Sequence, residues 1–227
     1  MIIEFNGLPG TGKTTVAKAL SSRLDNTYHV RFKYDAATSR LQYYVSYLFD
    51  GSLKLHLLAA RYAKYATQNR DKDKRKYIGV LIAYYKAYRR FLKQCPNEIL
   101  IIDQGILQAL ISIHHGDLIE NAQYLKPIFN FLTKKKINIS LVNCSNDVTT
   151  SLQRITSRNT SGGRLDICDD HERENVLNSQ IHNFTVIRQV CAEAMGNCKC
   201  IEINTLETPE QNALRISDYL ELEVKSL

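Results

Sequence analysis

The chain has 227 residues, 44% hydrophobic and 23% charged, a length and balance that suit one globular domain with an appended lid and exclude disordered or fibrous classes. Thirty Lys and Arg against 23 Asp and Glu leave a net charge of +7, which attracts anions, nucleotide phosphates as readily as nucleic acid. The six cysteines (Cys95, Cys144, Cys168, Cys191, Cys198, Cys200) include no Cys-x-x-Cys pair and no histidines at zinc-site intervals, so a zinc framework is excluded and reduced core thiols are expected.

Residues 2–5 read as a short apolar strand, and residues 13–24 follow with Val16, Leu20 and Leu24 at helical spacing. No basic segment and no apolar run of signal-peptide length precedes the glycines, and no stretch approaches a membrane span, so a cytoplasmic location is expected. Tyr28, Val30, Phe32 and Tyr34 alternate with polar residues, the period of a half-buried edge strand. Residues 36–95 show no strand pattern. There Asp71 to Lys76 forms a mixed-charge connector or helix start, and Tyr77, Leu81, Tyr84, Tyr88, Phe91 and Cys95 recur every three or four residues, the stripe of a long amphipathic helix. Such a stripe is packing material first and a base-stacking platform second.

Ile99, Leu100, Ile101 and Ile102 run into Asp103, the pattern of a strand buried on both faces. Lys134, Lys135 and Lys136 read as a solvated helix end. Further strands are expected at 137–143 and 199–204. Thr208, Pro209 and Gln211 make a capping box for a last helix with Ala213, Ile216, Leu220 and Val224 as its buried stripe. Strands separated by helices need crossovers, so the expected architecture is α/β: a mainly parallel sheet with helices on both faces, binding its ligand at the carboxyl ends of the strands.

Gly7, Leu8, Pro9, Gly10, Thr11, Gly12, Lys13, Thr14 and Thr15 match G-x-x-x-x-G-K-[ST], the phosphate-binding loop. Glycines at 7, 10 and 12 let successive N–H groups turn inward as an anion nest. Lys13 reaches the β- and γ-phosphates, and the following helix adds its free N–H groups and positive dipole end. The Thr14 hydroxyl suits magnesium. About one chain in a hundred of this length would match by chance, and the strand-loop-helix setting lowers that further. ATP with magnesium is the expected ligand.

Asp103 stands where a second magnesium ligand belongs, at a strand end; the alternative is a cap for the next helix, and the two roles are compatible. Arg154, Arg158 and Arg164 follow in one segment, with Arg154 and Arg158 on a helix face beside the apolar residues Val148, Leu152 and Ile155. Planar, permanently charged forks there fit a polyphosphate, and Thr160 to Gly163 would let Arg164 swing as part of a lid. Ordinary surface arginines, paired with Asp147, are the competing reading.

On these residues the chain resembles the P-loop nucleoside and nucleotide kinases, most of all the thymidylate kinase group: the loop, the Asp103 strand end, the arginine-rich segment and the last strand and helix all carry the likeness. The resemblance implies a single domain over 1–227, a three-layer P-loop fold with a five-stranded sheet, a helical acceptor-binding insert at 36–95 and a lid region at 147–167. It also implies a small-molecule phosphate acceptor, and a homodimer is compatible with it. Thymidylate kinases follow the strand-end aspartate with an arginine for the acceptor phosphate, whereas Gln104 and Gly105 stand here, which counts against a phosphorylated acceptor. Asp35 falls where deoxynucleoside kinases place the base for the acceptor hydroxyl; a strand-end turn is its plainer explanation. Arg31, Lys33 and Arg40 are alternative phosphate contacts.

The expected function is transfer of the γ-phosphate of ATP to a nucleoside or nucleoside monophosphate, with Lys13, Asp35, Asp103, Arg154, Arg158 and Arg164 as the catalytic set. Two alternatives remain: a nucleotide-operated switch with no small acceptor, and a kinase of a sugar, an antibiotic or a polynucleotide end. No guanine-specifying Asn-Lys-x-Asp pattern and no basic stripe interleaved with stacking aromatics supports a GTPase or a nucleic-acid binder.

Overall fold

The computed structural model describes residues 1–24, 50–66, 71–115, 117–120, 122–157, 165, 168–196 and 198–222, together with the backbone of 27–30. Its elements, in order, are β1 (Ile2–Asn6), α1 (Lys13–Arg23), β2 (Thr27–Val30), α2 (Ser52–Ala63), α3 (Asp71–Gln94), β3 (Ile99–Ile102), α4 (Ile106–Ile113), α5 (Lys126–Lys134), β4 (Ile139–Ser145), α6 (Val148–Thr156), α7 (Asp170–Met195), β5 (Cys200–Asn204) and α8 (Pro209–Leu220). The strands form one sheet in the order β2-β3-β1-β4-β5, with every neighbouring pair parallel. Side chains are described for β1, β3, β4 and β5, and β2 is traced by its backbone.

Alternation along β1 splits the core into two layers. Ile2 faces one helical layer, with Leu55, Tyr62, Leu81, Tyr85, Ile106, Phe129 and Leu177, while Ile3 and Phe5 face the other, with Val16, Leu20, Ala213 and Ile216. Helices α1 and α8 therefore cover one face, and α2 to α5 with α7 cover the other. This three-layer α/β architecture agrees with the sequence reading.

Several local expectations hold. Thr208 accepts a bond from the Gln211 N–H while Gln211 reaches back to the Thr208 N–H, completing the capping box. Lys134, Lys135 and Lys136 are exposed at the end of α5. All six cysteines are free thiols. The mixed-charge run at 71–76 is the first part of α3 and not a connector.

Two expectations need correction. The expected stripe of α3 is turned: its buried residues are Ile78, Leu81, Ile82, Tyr85 and Tyr88, whereas Tyr77, Tyr84 and Phe91 are only partly covered. Tyr85 is drawn inward because its ring packs on Phe131 at 5.5 Å and its hydroxyl donates to the Asp50 carbonyl at 2.6 Å. The fourth strand runs later than expected, because the Ile137 N–H closes the end of α5 on the Leu132 carbonyl (3.0 Å) and pairing with β5 extends through Ser145. The edge-strand residues Phe32 and Tyr34, and Val224 of the last stripe, lie outside the described residues.

Candidate active site

Strand β1 runs straight into the phosphate loop, whose three glycines take positive φ: Gly7 at 139°, Gly10 at 88° and Gly12 at 82°. Gly12 opens α1 with no side-chain cap, so the first N–H groups of that helix face the loop's concavity. Lys13 is only 7% exposed. Its Nζ donates to the carbonyls of Gly7 (2.8 Å) and Leu8 (2.7 Å), so the ammonium lies across the loop. Thr11 closes the turn, its N–H and hydroxyl both donating to Leu8 O (3.3 and 2.8 Å). Thr14 is half-buried and Thr15 exposed at the start of α1.

Helix α6 lies over this loop. A Cβ on Gly10 would stand 3.1 Å from the Ser151 carbonyl and 3.4 Å from Arg154 Cβ. Arg154 Nη1 donates to Gly10 O at 3.2 Å. Asp147, the competing partner considered for Arg154, caps α6 by accepting from the N–H and hydroxyl of Thr150 (2.6 and 2.7 Å), bonds that hold its carboxyl below the usual carboxylate range. Arg154 is thus brought to the phosphate loop. Asp35, Arg158 and Arg164, with Arg31, Lys33, Arg40 and residues 160–163, lie outside the described residues.

Asp103 is buried at the end of β3, beside β1, and Gln104 next to it is exposed. Lys13 and Asp103 both act on the thiol of Cys144, which burial pushes up to about 12, Lys13 pulling it down and Asp103 adding to the rise. Burial, and then the negative charges of Glu4 and Asp103, raise Tyr84 of α3 to about 12.

The suggestion that Asp103 caps the next helix gives way to a different arrangement. The first N–H groups of α4 are taken by Glu4 of β1, whose carboxylate accepts from Leu107 N (2.7 Å), Ile106 N (3.1 Å) and the Tyr88 hydroxyl (3.2 Å). Glu4 is fully buried. Burial is the larger influence and raises its carboxyl to about 7, although the hydrogen bonds oppose the rise.

No protein-family model matches the sequence, and no curated protein matches it either. The structure is similar to deoxyadenosine kinase from M. mycoides with bound dATP, at 15% identity and a TM-score of 0.53 over 97% of this chain and 100% of that one. It is likewise similar to the same kinase with products dCMP and a flexible dCDP bound, at 17% identity and a TM-score of 0.50 over 97% and 99% of the two chains. The chain shares the fold of that kinase.

Within that fold, Tyr84 and Tyr88 entered the sequence reading only as part of an aromatic stripe, and Glu4 and Thr205 did not enter it as site residues. Thr205 follows β5, and its Cβ lies 4.0 Å from where a Cβ on Gly12 would stand. Of the latter two, Glu4 carried a signal, a carboxylate inside an apolar strand. Among the described residues no three His, Cys, Asp or Glu cluster closely enough to hold a metal by themselves. A hydroxyl in the first turn of α1, Thr14, and a carboxylate at the end of β3, Asp103, are of the type that suits magnesium, which uses one or two protein oxygens and takes the rest from water and phosphate. No helix among the described residues is long and apolar enough to cross a membrane.

The position of Arg154 carries an expected result. Arg154→Ala should lower turnover by about 10²-fold, the usual cost of losing one preorganised donor at a charged transition state, while ATP affinity falls much less. Steady-state kinetics beside calorimetric ATP binding separates the two effects.

Proposed function

We propose that the protein is a magnesium-dependent phosphotransferase that moves the γ-phosphate of ATP to a nucleoside or nucleoside monophosphate. The observation that carries this reading is the phosphate loop after β1, with Lys13 across it and the Arg154 guanidinium on Gly10, beside the buried Asp103 that ends the neighbouring parallel strand β3. Deoxyadenosine kinase shares the fold along nearly the whole of both chains, which supports a nucleoside-type acceptor. The neutral Gln104, where thymidylate kinases carry an arginine, favours the nucleoside over its monophosphate.

In this reading the inward N–H groups of residues 7–15 hold the α- and β-phosphates. Lys13 turns from the Gly7 and Leu8 carbonyls to the β- and γ-phosphates. Arg154 faces the oxygens that gain charge as the phosphoryl group leaves. Thr14 and Asp103 would hold magnesium, which when bound would neutralise charge on the phosphates. Asp35 accepts the proton of the acceptor hydroxyl, and Arg158 and Arg164 complete the lid. Tyr84 lines the acceptor side. The cytoplasm, where ATP and magnesium are plentiful, is the compartment assigned.

ADP release measured with nucleosides, nucleoside monophosphates, sugars and antibiotics tests the proposal. Stimulation by a nucleoside or its monophosphate is expected. Stimulation by a sugar or antibiotic alone would replace the acceptor class, and no stimulation by any of the four would replace the kinase with a nucleotide switch.

A further inference from the structure

We infer that Glu4 is a positioning residue that sets the place of Asp103 and Gln104 relative to the phosphate loop, an inference that rests on the kinase reading above. Its backbone and its side chain anchor opposite ends of the same short arch. In the sheet, Glu4 pairs in register with Ile102, the last residue of β3. Its carboxylate holds Ile106 and Leu107, the first residues of α4. Between these anchors lie only Asp103, Gln104 and Gly105. A shift of either anchor therefore moves Asp103 directly.

The arch is closed tightly against this carboxylate. A Cβ on Gly105 would stand 2.2 Å from the Tyr88 hydroxyl and 2.5 Å from Glu4 Cδ, so only glycine admits the approach. Tyr88 belongs to α3, in the insert read as the acceptor region, and its hydroxyl donates to the same carboxylate. Three residues after Glu4 the chain enters the loop at Gly7. One side chain thus ties the donor loop, the Asp103 arch and the acceptor helix together.

An apolar residue at position 4 would fill this site without the desolvation cost of a buried carboxylate. What it would not supply is two acceptor oxygens for three donors, two of them at a helix N-terminus where negative charge is favoured. The titratable groups around Glu4 are Tyr84 and Tyr88 from α3, Cys191 from α7 and Cys198 ahead of β5. Because a proton on Glu4 would occupy one of those oxygens, the clamp is complete only in the ionised form, which prevails above about pH 7.

The test compares the parent protein with Glu4→Gln. In the variant an amide N–H replaces one acceptor oxygen, and outer partners of metal-holding residues cost about 10- to 100-fold in activity or metal affinity when removed. The expected result is a fall of that size in kcat, unchanged ATP affinity without magnesium, and weaker magnesium-dependent tightening of ATP binding by calorimetry. The parent's kcat should rise through about pH 7, and the variant should lack that rise. Tyr88→Phe, which leaves the carboxylate in place, serves if Glu4→Gln does not fold; loss of one hydrogen bond predicts up to about a tenfold fall.

Parental kcat, magnesium response and pH profile in Glu4→Gln would overturn the inference, as would a lowered melting temperature with kcat per folded molecule unchanged. Parental kcat and magnesium response in Tyr88→Phe would overturn it where that variant stands in. If no acceptor stimulates ADP release in the parent, the kinase reading fails by itself, and the magnesium dependence of ATP binding still decides the role of Glu4.

Discussion

Lys13→Ala should abolish most acceptor-dependent ADP release, lowering kcat by about 10²- to 10³-fold, the range for removing a preorganised charge from a phosphoryl-type transition state. Lys13 is buried, and its ammonium is already aimed across the loop by the carbonyls of Gly7 and Leu8. Little reorganisation is needed to move it from those oxygens to a phosphate. Arginine should not rescue it, because its planar fork is wider than an ammonium and donates along fixed directions. Initial rates for the parent, Lys13→Ala and Lys13→Arg, each with a melting curve to count folded protein, check the result. Near-parental rates in the alanine variant would remove the loop from the chemistry.

Gly7→Ala should unfold more easily and lose ATP binding altogether. Its Cβ would lie 2.3 Å from the carbonyl oxygen of Cys144, which is backbone of β4 and cannot swing aside. The positive φ of 139° adds strain for any residue with a side chain. Overpacking of this kind costs about 1–3 kcal/mol, with about 1 kcal/mol more from the backbone. For a domain of this size each kcal/mol lowers Tm by about 2–4 °C. Gly79→Ala is the control: it sits within α3 with nothing within 4 Å of the added methyl, so it should gain about 0.8–1 kcal/mol. Thermal melts of both variants, with and without ATP, should diverge in sign.

How far the site was readable from the sequence depends on how far apart its parts lie along the chain. The loop was legible because nine consecutive residues carry both its conformation and its chemistry. Asp103 was legible because an apolar run announces a buried strand and the site lies at strand ends. Arg154 was placed on the right face because helical period is local. The clamp of Glu4 was not, since its partners are 84 to 103 residues away and nothing local distinguishes a clamping carboxylate from a misplaced one. The face of α3 was misjudged for a related reason: Tyr84 and Tyr85 are adjacent and chemically alike, and Phe131 with Asp50 decides which turns inward. Long-range partners, not intrinsic preference, settle such choices.

The sheet order has a bearing on how the chain is made. The central strand β1 is translated well before both of its neighbours, which begin at residues 99 and 139. At about 5–20 residues per second, about 5 to 19 seconds separate the emergence of β1 from that of β3, the first of the two. Throughout that interval an apolar strand with a carboxylate at its middle has no native strand beside it. Glu4, pointing into water on the nascent chain, then supplies the charge that interrupts a sticky five-residue segment, as gatekeeper residues do, before the finished fold encloses it.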